Sequence, residues 1–210
     1  MGVFPNLTGI GEQKVFVSAR KLISNSQKSS RLFEEILSGS VNLDKLHELK
    51  SQSYEELFNL SNSITSGGVS PNLIPDLLQL LVLEYRIMDM IFVLSRSFAR
   101  YRLKNPSQRR YVVEKLRANN ELVSKAIAEI YIMHTVDRLD EIKRLRSRVK
   151  LIEEEGDEIK EDMLNYAYNT KTDYKTFYHI INLAYISDDV LDSCEDAADM
   201  LMNIMLSIAT

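Results

Sequence analysis

Asp188-Asp189-Val190-Leu191-Asp192-Ser193-Cys194-Glu195-Asp196-Ala197-Ala198-Asp199 is the stretch whose reading decides the fold. Wound at 3.6 residues per turn, it carries an apolar stripe of Leu191, Cys194 and Ala198. The stripe extends to Ile180, Ala184 and Leu201 and is interrupted by Ser187. A second stripe of Asp188, Asp192, Glu195 and Asp199 runs beside it. Each like-charged pair four residues apart costs roughly 0.2–0.5 kcal/mol on an exposed helix, and more where solvent is thinned. Something cationic is therefore expected against these acids.

Outward from this helix the chain reads as all-α. Glycines and prolines are few, 7 and 4 in 210 residues, and 45% of residues are hydrophobic, enough for a sizeable core. Helix one is predicted from about Glu12 to Leu37 with Gly39 as C-cap. Helix two runs from Asn42 to Ser66, stopped by Gly67-Gly68. Helix three starts with Ser70 as N-cap and Pro71 at the first position, and continues to Leu103, where Asn105-Pro106 ends it. Helix four covers Gln108 to His134. Helix five follows a break around Thr135 to Asp137 and ends at Asn169. Helix six is capped by Thr172 or Asp173 and runs nearly to the C-terminus. No stretch alternates long enough to be a strand. Short connections make sequential helices antiparallel.

Helix five shows a coiled-coil spacing in Ile142, Leu145, Val149, Ile152, Ile159, Met163 and Tyr166. Gly156 breaks it, at a cost of roughly 1 kcal/mol against Ala, which fits a close helix approach. A shift of 103 positions lays helices two and three on helices five and six without a gap. Leu49 meets Ile152, Leu60 meets Met163 and Ile87 meets Val190. This predicts a duplicated three-helix unit, with an N-terminal bundle over 1–104 and a C-terminal bundle over 105–210. The acids are not duplicated. Glu153 corresponds to Lys50, Asp157 to Tyr54 and Asp188 to Tyr85; Asp89 alone matches its partner, Asp192.

Glu153 and Asp157 share one face of helix five, and Asp188 and Asp192 one face of helix six. Antiparallel pairing brings the four together as oxygen donors for a hard cation such as Mg²⁺, Ca²⁺, Mn²⁺ or ferric iron. The alternative is a solvated acidic rim. Glu153-x-x-x-Asp157, then Asp188-x-x-x-Asp192-x-x-Glu195-Asp196-Ala197-Ala198-Asp199, resembles the PhoU-like family, in particular its phosphate-transport accessory branch (Pit-accessory, domain of unknown function). The resemblance implies two tandem antiparallel three-helix bundles, in a PhoU-like or spectrin-like arrangement. It implies metal ions on the bundle surface, with Fe, Zn, Mn or Mg the leading identities. Glu153, Asp157, Asp188 and Asp192 match ligand positions, and Glu195 and Asp199 match acids further along. Asp89 is then the remnant of a degenerate second site. The implied role is non-enzymatic regulation of phosphate uptake beside a transporter or its regulatory apparatus.

Other classes are disfavoured. The net charge of −4 argues against nucleic acid. His47, His134 and His179 form no Glu-x-x-His pattern of a di-iron bundle. Gly67-Gly68 lacks the Lys of a phosphate loop, and Cys194 lacks an activating base. Two alternatives stay open: a structural helical adaptor binding no specific metal, and a metal-dependent phosphohydrolase. Met1 to Asn6 shows no leader pattern. The most apolar window, Leu77 to Leu94, is interrupted by charge. A cytoplasmic protein with at most peripheral membrane contact is expected. Met200 and Met202 suggest a homo-oligomer face. Basic residues gather at the helix three–four turn (Arg96, Arg100, Arg102, Arg109, Arg110, Arg117) and on helix five (Lys143, Arg144, Arg146, Arg148, Lys150).

Overall fold

A computed structural model describes residues 10–39, 43–66 and 69–209. It contains α1 (Ile10–Leu37), α2 (Asp44–Thr65), a 3₁₀ turn (Pro71–Leu73), α3 (Ile74–Arg100), α4 (Pro106–Met133), α5 (Leu139–Asn169) and α6 (Tyr174–Ala209). Gly67-Gly68, Asn42 and Met1 to Asn6 lie outside the described residues. The helices form two tandem three-helix bundles, α1–α3 and α4–α6. Among the described residues there is no strand, and no helix is long and apolar enough to cross a membrane.

The termini show which local signals decided them. Gly39 adopts φ +79°, the left-handed conformation that favours glycine, and its N–H donates to Ile36 O at 3.0 Å. Asp173 Oδ1 accepts from the N–H groups of Lys175 (3.0 Å) and Thr176 (3.2 Å) and so caps α6. At the start of α3 the outcome differs from expectation. Ser70 makes no side-chain cap, and Pro71 opens a 3₁₀ turn instead. Pro75 has no N–H to give the carbonyl four residues back, so the tighter bonding takes over. The far end of α3 also differs, stopping at Arg100. Tyr101 is extended, which buries Leu103 and sets the Tyr101 hydroxyl 3.0 Å from Thr176 Oγ1. Asn105-Pro106 starts α4. Asn105 Oδ1 accepts from Ser107 N–H at 2.9 Å and Gln108 N–H at 3.4 Å, with Pro106 in the first turn.

Four helices make the middle of the molecule. α1 packs on α3 and α4, and α6 packs on α3 and α4. Their buried side chains, with those of α5, join in one cluster that includes Phe16, Ile23, Leu80, Ile127 and Leu183. Burying a side chain of this size contributes roughly 1.5–3 kcal/mol. α2 and α5 lie outside this middle layer, each packed on helices of its own bundle. Ile142, Leu145, Val149, Gly156 and Met163 are the buried seam of α5. Cys194 is a buried free thiol on the apolar stripe of α6. Gly156 has a specific reason to be glycine, because a Cβ there would overlap Leu191 Cδ1.

Candidate functional site

The close approach of Gly156 to Leu191 brings the acid-bearing faces of α5 and α6 together. Glu153 and Asp157 come from α5, and Asp188, Asp192, Glu195 and Asp199 from α6. The cations expected against the stripe come from α5 itself. Lys160 Nζ donates to Asp157 Oδ1 and, at 2.7 Å, to Asp188 Oδ2. About two turns along α5 from Glu153, the Arg146 guanidinium holds Asp199 through Nε and Nη2, the latter at 2.9 Å, and reaches Glu195 Oε1 at 3.3 Å. Sequence reasoning placed Arg146 in a general basic group and did not single out Lys160.

Glu153 and Asp192 lie between the two clamps, and neither forms an ion pair among the described residues. Their protonation reflects this. Burial pushes the Glu153 carboxyl up to about 7, and Asp157, Glu195, Asp192 and Asp188 add repulsion. Burial and the neighbouring Asp188 and Asp189 push Asp192 up to about 6. Asp188 is also raised, by burial foremost, with Lys160 opposing. Burial pulls the Lys160 ammonium down, but its bonds to Asp157 and Asp188 outweigh this and hold it above the ordinary lysine value. Asp188 is 7% exposed, and its Oδ1 is buried without a hydrogen-bond partner.

All six acids named from the sequence thus fall on one α5–α6 face, four of them held by the two clamps. Their donors are hard oxygens, and the orphaned Asp188 Oδ1 fits a cation. Among the described residues, however, no three acidic, histidine or cysteine side chains converge to hold an ion. Lys160 stands where Asp157 and Asp188 would share one.

The matching face of α2 and α3 has different contents. Lys50 Nζ lies 2.5 Å from Asp89 Oδ1 and 4.7 Å from the centre of the Phe92 ring. Arg96 approaches the same ring at 5.7 Å. Tyr54 and Tyr85 meet edge to face at 5.9 Å. Burial, then Asp89 and Tyr54, pushes the Tyr85 hydroxyl up to about 12. Asp89 is a salt-bridge partner here. A further pair was not legible as a pair: Glu84 Oε1 and His134 Nε2 lie 2.5 Å apart in the core, both side chains 0% exposed. Burial raises the Glu84 carboxyl, against the pull of His134.

A crystal structure from Shewanella oneidensis MR-1, described as a PhoU-like phosphate regulatory protein, superposes with a TM-score of 0.65 at 15% identity, covering 92% of this chain and 99% of that one. The chain has the PhoU-like fold. A second structure from that organism, of a PhoU-like protein, gives a TM-score of 0.64 at 15% identity over 91% of this chain and 96% of that one. No protein-family model and no curated protein matches the sequence. In this chain the outer placement of α2 and α5 puts each candidate face on the surface.

Proposed function

We propose that this chain is a non-enzymatic, cytoplasmic regulator of phosphate uptake that contacts a phosphate transporter or its regulatory apparatus. The observation that carries the proposal is the likeness, over 92% of the chain, to a structure described as a PhoU-like phosphate regulatory protein. Within it, the halves 1–104 and 105–210 are the two copies of a duplicated bundle, and the protein self-associates through the Met200/Met202 side of α6. The regulatory surface is the α5–α6 acid face. Glu153, Asp157, Asp188 and Asp192 would hold a metal ion, with Glu195 and Asp199 beside it. Supporting this are the buried, unpartnered Asp188 Oδ1 and the elevated Glu153 and Asp192 carboxyls. A bound cation would supply the charge that Glu153 and Asp192 lack. Lys160 is its internal competitor.

Two experiments test the proposal. Removal of the gene from its host should change the rate of phosphate uptake; an unchanged rate under phosphate limitation and excess would defeat the regulatory role. Protein prepared without added metal should be assayed for Fe, Mn, Zn and Mg and melted with each. A rise in melting temperature that Asp188→Asn with Asp192→Asn abolishes supports the metal. A specific observation favours a second reading, the structural adaptor: Lys160 and Arg146 already neutralise much of the cluster. Indifference to every ion would select it.

A further inference from the structure

The turn between α3 and α4, with the end of α1, encloses a groove of about 770 Å³. Five cations line it: Arg102, Lys104, Arg109, Arg110 and Arg117. Arg117 is engaged, donating to Glu34 Oε1 at 2.7 Å and Ser38 Oγ at 2.8 Å. Arg102, Lys104, Arg109 and Arg110 form no ion pair among the described residues. Four uncompensated positive groups therefore share one concavity in a chain whose net charge is −4. The surroundings reinforce them. The 28-residue α4 points its N-terminus at the groove, adding the positive end of its dipole. Asn105 Oδ1 already takes the Ser107 and Gln108 N–H groups, so contacts to a ligand fall to the side chains. The floor is apolar, with Leu37 and Leu103 at its base.

We propose that this groove binds a soluble anion carrying two or more phosphoryl groups, a condensed phosphate or a nucleoside polyphosphate. Guanidinium forks match phosphoryl oxygens two at a time. A single phosphate dianion would leave about half of the four free charges unbalanced and would not span the groove, whose size falls in the ordinary range for small-molecule sites. A flat membrane surface cannot reach Leu103 at the floor, so a soluble ligand fits the shape better than a lipid headgroup. The site is separate from the α5–α6 acid face and does not depend on its reading.

Titration calorimetry with tripolyphosphate, at fixed ionic strength, tests the proposal. Tripolyphosphate should bind at least about tenfold more tightly than inorganic phosphate or citrate, and Lys104→Ser with Arg110→Ser should weaken it at least about tenfold, the effect of losing two charge-assisted contacts. Both residues are exposed, so the variant should fold as the parent does, checked by circular dichroism. Lys143→Ser with Lys150→Ser, which removes the same charge from exposed positions on α5, should leave affinity unchanged. The proposal is overturned by absent tripolyphosphate binding, by equal weakening in the two variants, or by equal affinity for citrate. It is overturned too by binding to phosphatidylglycerol vesicles alone.

Discussion

The α2–α3 face and the α5–α6 face are built the same way, an outer helix laid on a middle one, yet they close over opposite chemistry. On α2–α3 a lysine and an arginine flank the Phe92 ring, Lys50 pairs with Asp89, and two tyrosines pack edge to face. That face is self-sufficient: each charge there has a counter-charge or a ring. On α5–α6 six acids meet two cations, and Glu153 and Asp192 are left over. The difference teaches that packing constrains the seam, while the residues beside the seam can change without altering the bundle. It also locates where a partner ion or protein has something to gain, because of these two faces the α5–α6 one carries unbalanced charge among the described residues.

The largest separation between the faces should come from their lysines. Lys160→Met strands the largely buried Asp188 and should lower stability by about 2–3 kcal/mol. Lys50→Met, whose partner Asp89 is more exposed and whose gain comes partly from the Phe92 ring, should cost about 1 kcal/mol or less. Urea denaturation of the two variants measures the contrast, and equal losses would erase it. Next is Gly156→Val, which drives a branched side chain into Leu191 and should cost about 2 kcal/mol by the same assay. No change in that variant would mean that the helices need no close approach here.

A third contrast concerns pH. Glu153 has a raised carboxyl in the folded protein, about 7, so its favourable contribution is complete below the unfolded value near 4.5 and is lost as pH rises through 7. Metal-free wild type and Glu153→Gln should therefore match near pH 4. Above pH 7 the variant should be more stable by roughly 1–2 kcal/mol, after discounting for solvent screening. A stability difference independent of pH would show that Glu153 is not crowded by its neighbours. The smallest effect is the Tyr54–Tyr85 contact, for which a double-mutant cycle should give a coupling of about 0.5–1 kcal/mol. Zero coupling would make that contact incidental.

Much of the fold was legible because its signals are local. The 3.6-residue periodicity of α5 and α6, Gly39 and Asp173 gave helix identity and several ends. The placement of Glu153, Asp157, Asp188 and Asp192 on one α5–α6 face followed from two helix faces and one antiparallel pairing, but not the lysine that stands among them. What was hidden depended on distant contacts. The early end of α3 is set by Leu103 burial and by Thr176, far along the chain. Lys160 sits three residues from Asp157 and looks from the sequence like a local surface pair. Its second bond, to Asp188 on another helix, exists only after docking. Glu84 and His134 are fifty positions apart, and nothing in either neighbourhood marks them as partners.

That last pair has a kinetic consequence. Both side chains are sealed from water, with Phe16 set edge-on to the His134 ring at 5.9 Å. Exchange of the protons on this pair with solvent requires an opening of the packing between α3 and the end of α4. That exchange is thus a built-in stopwatch for openings at the molecule's centre.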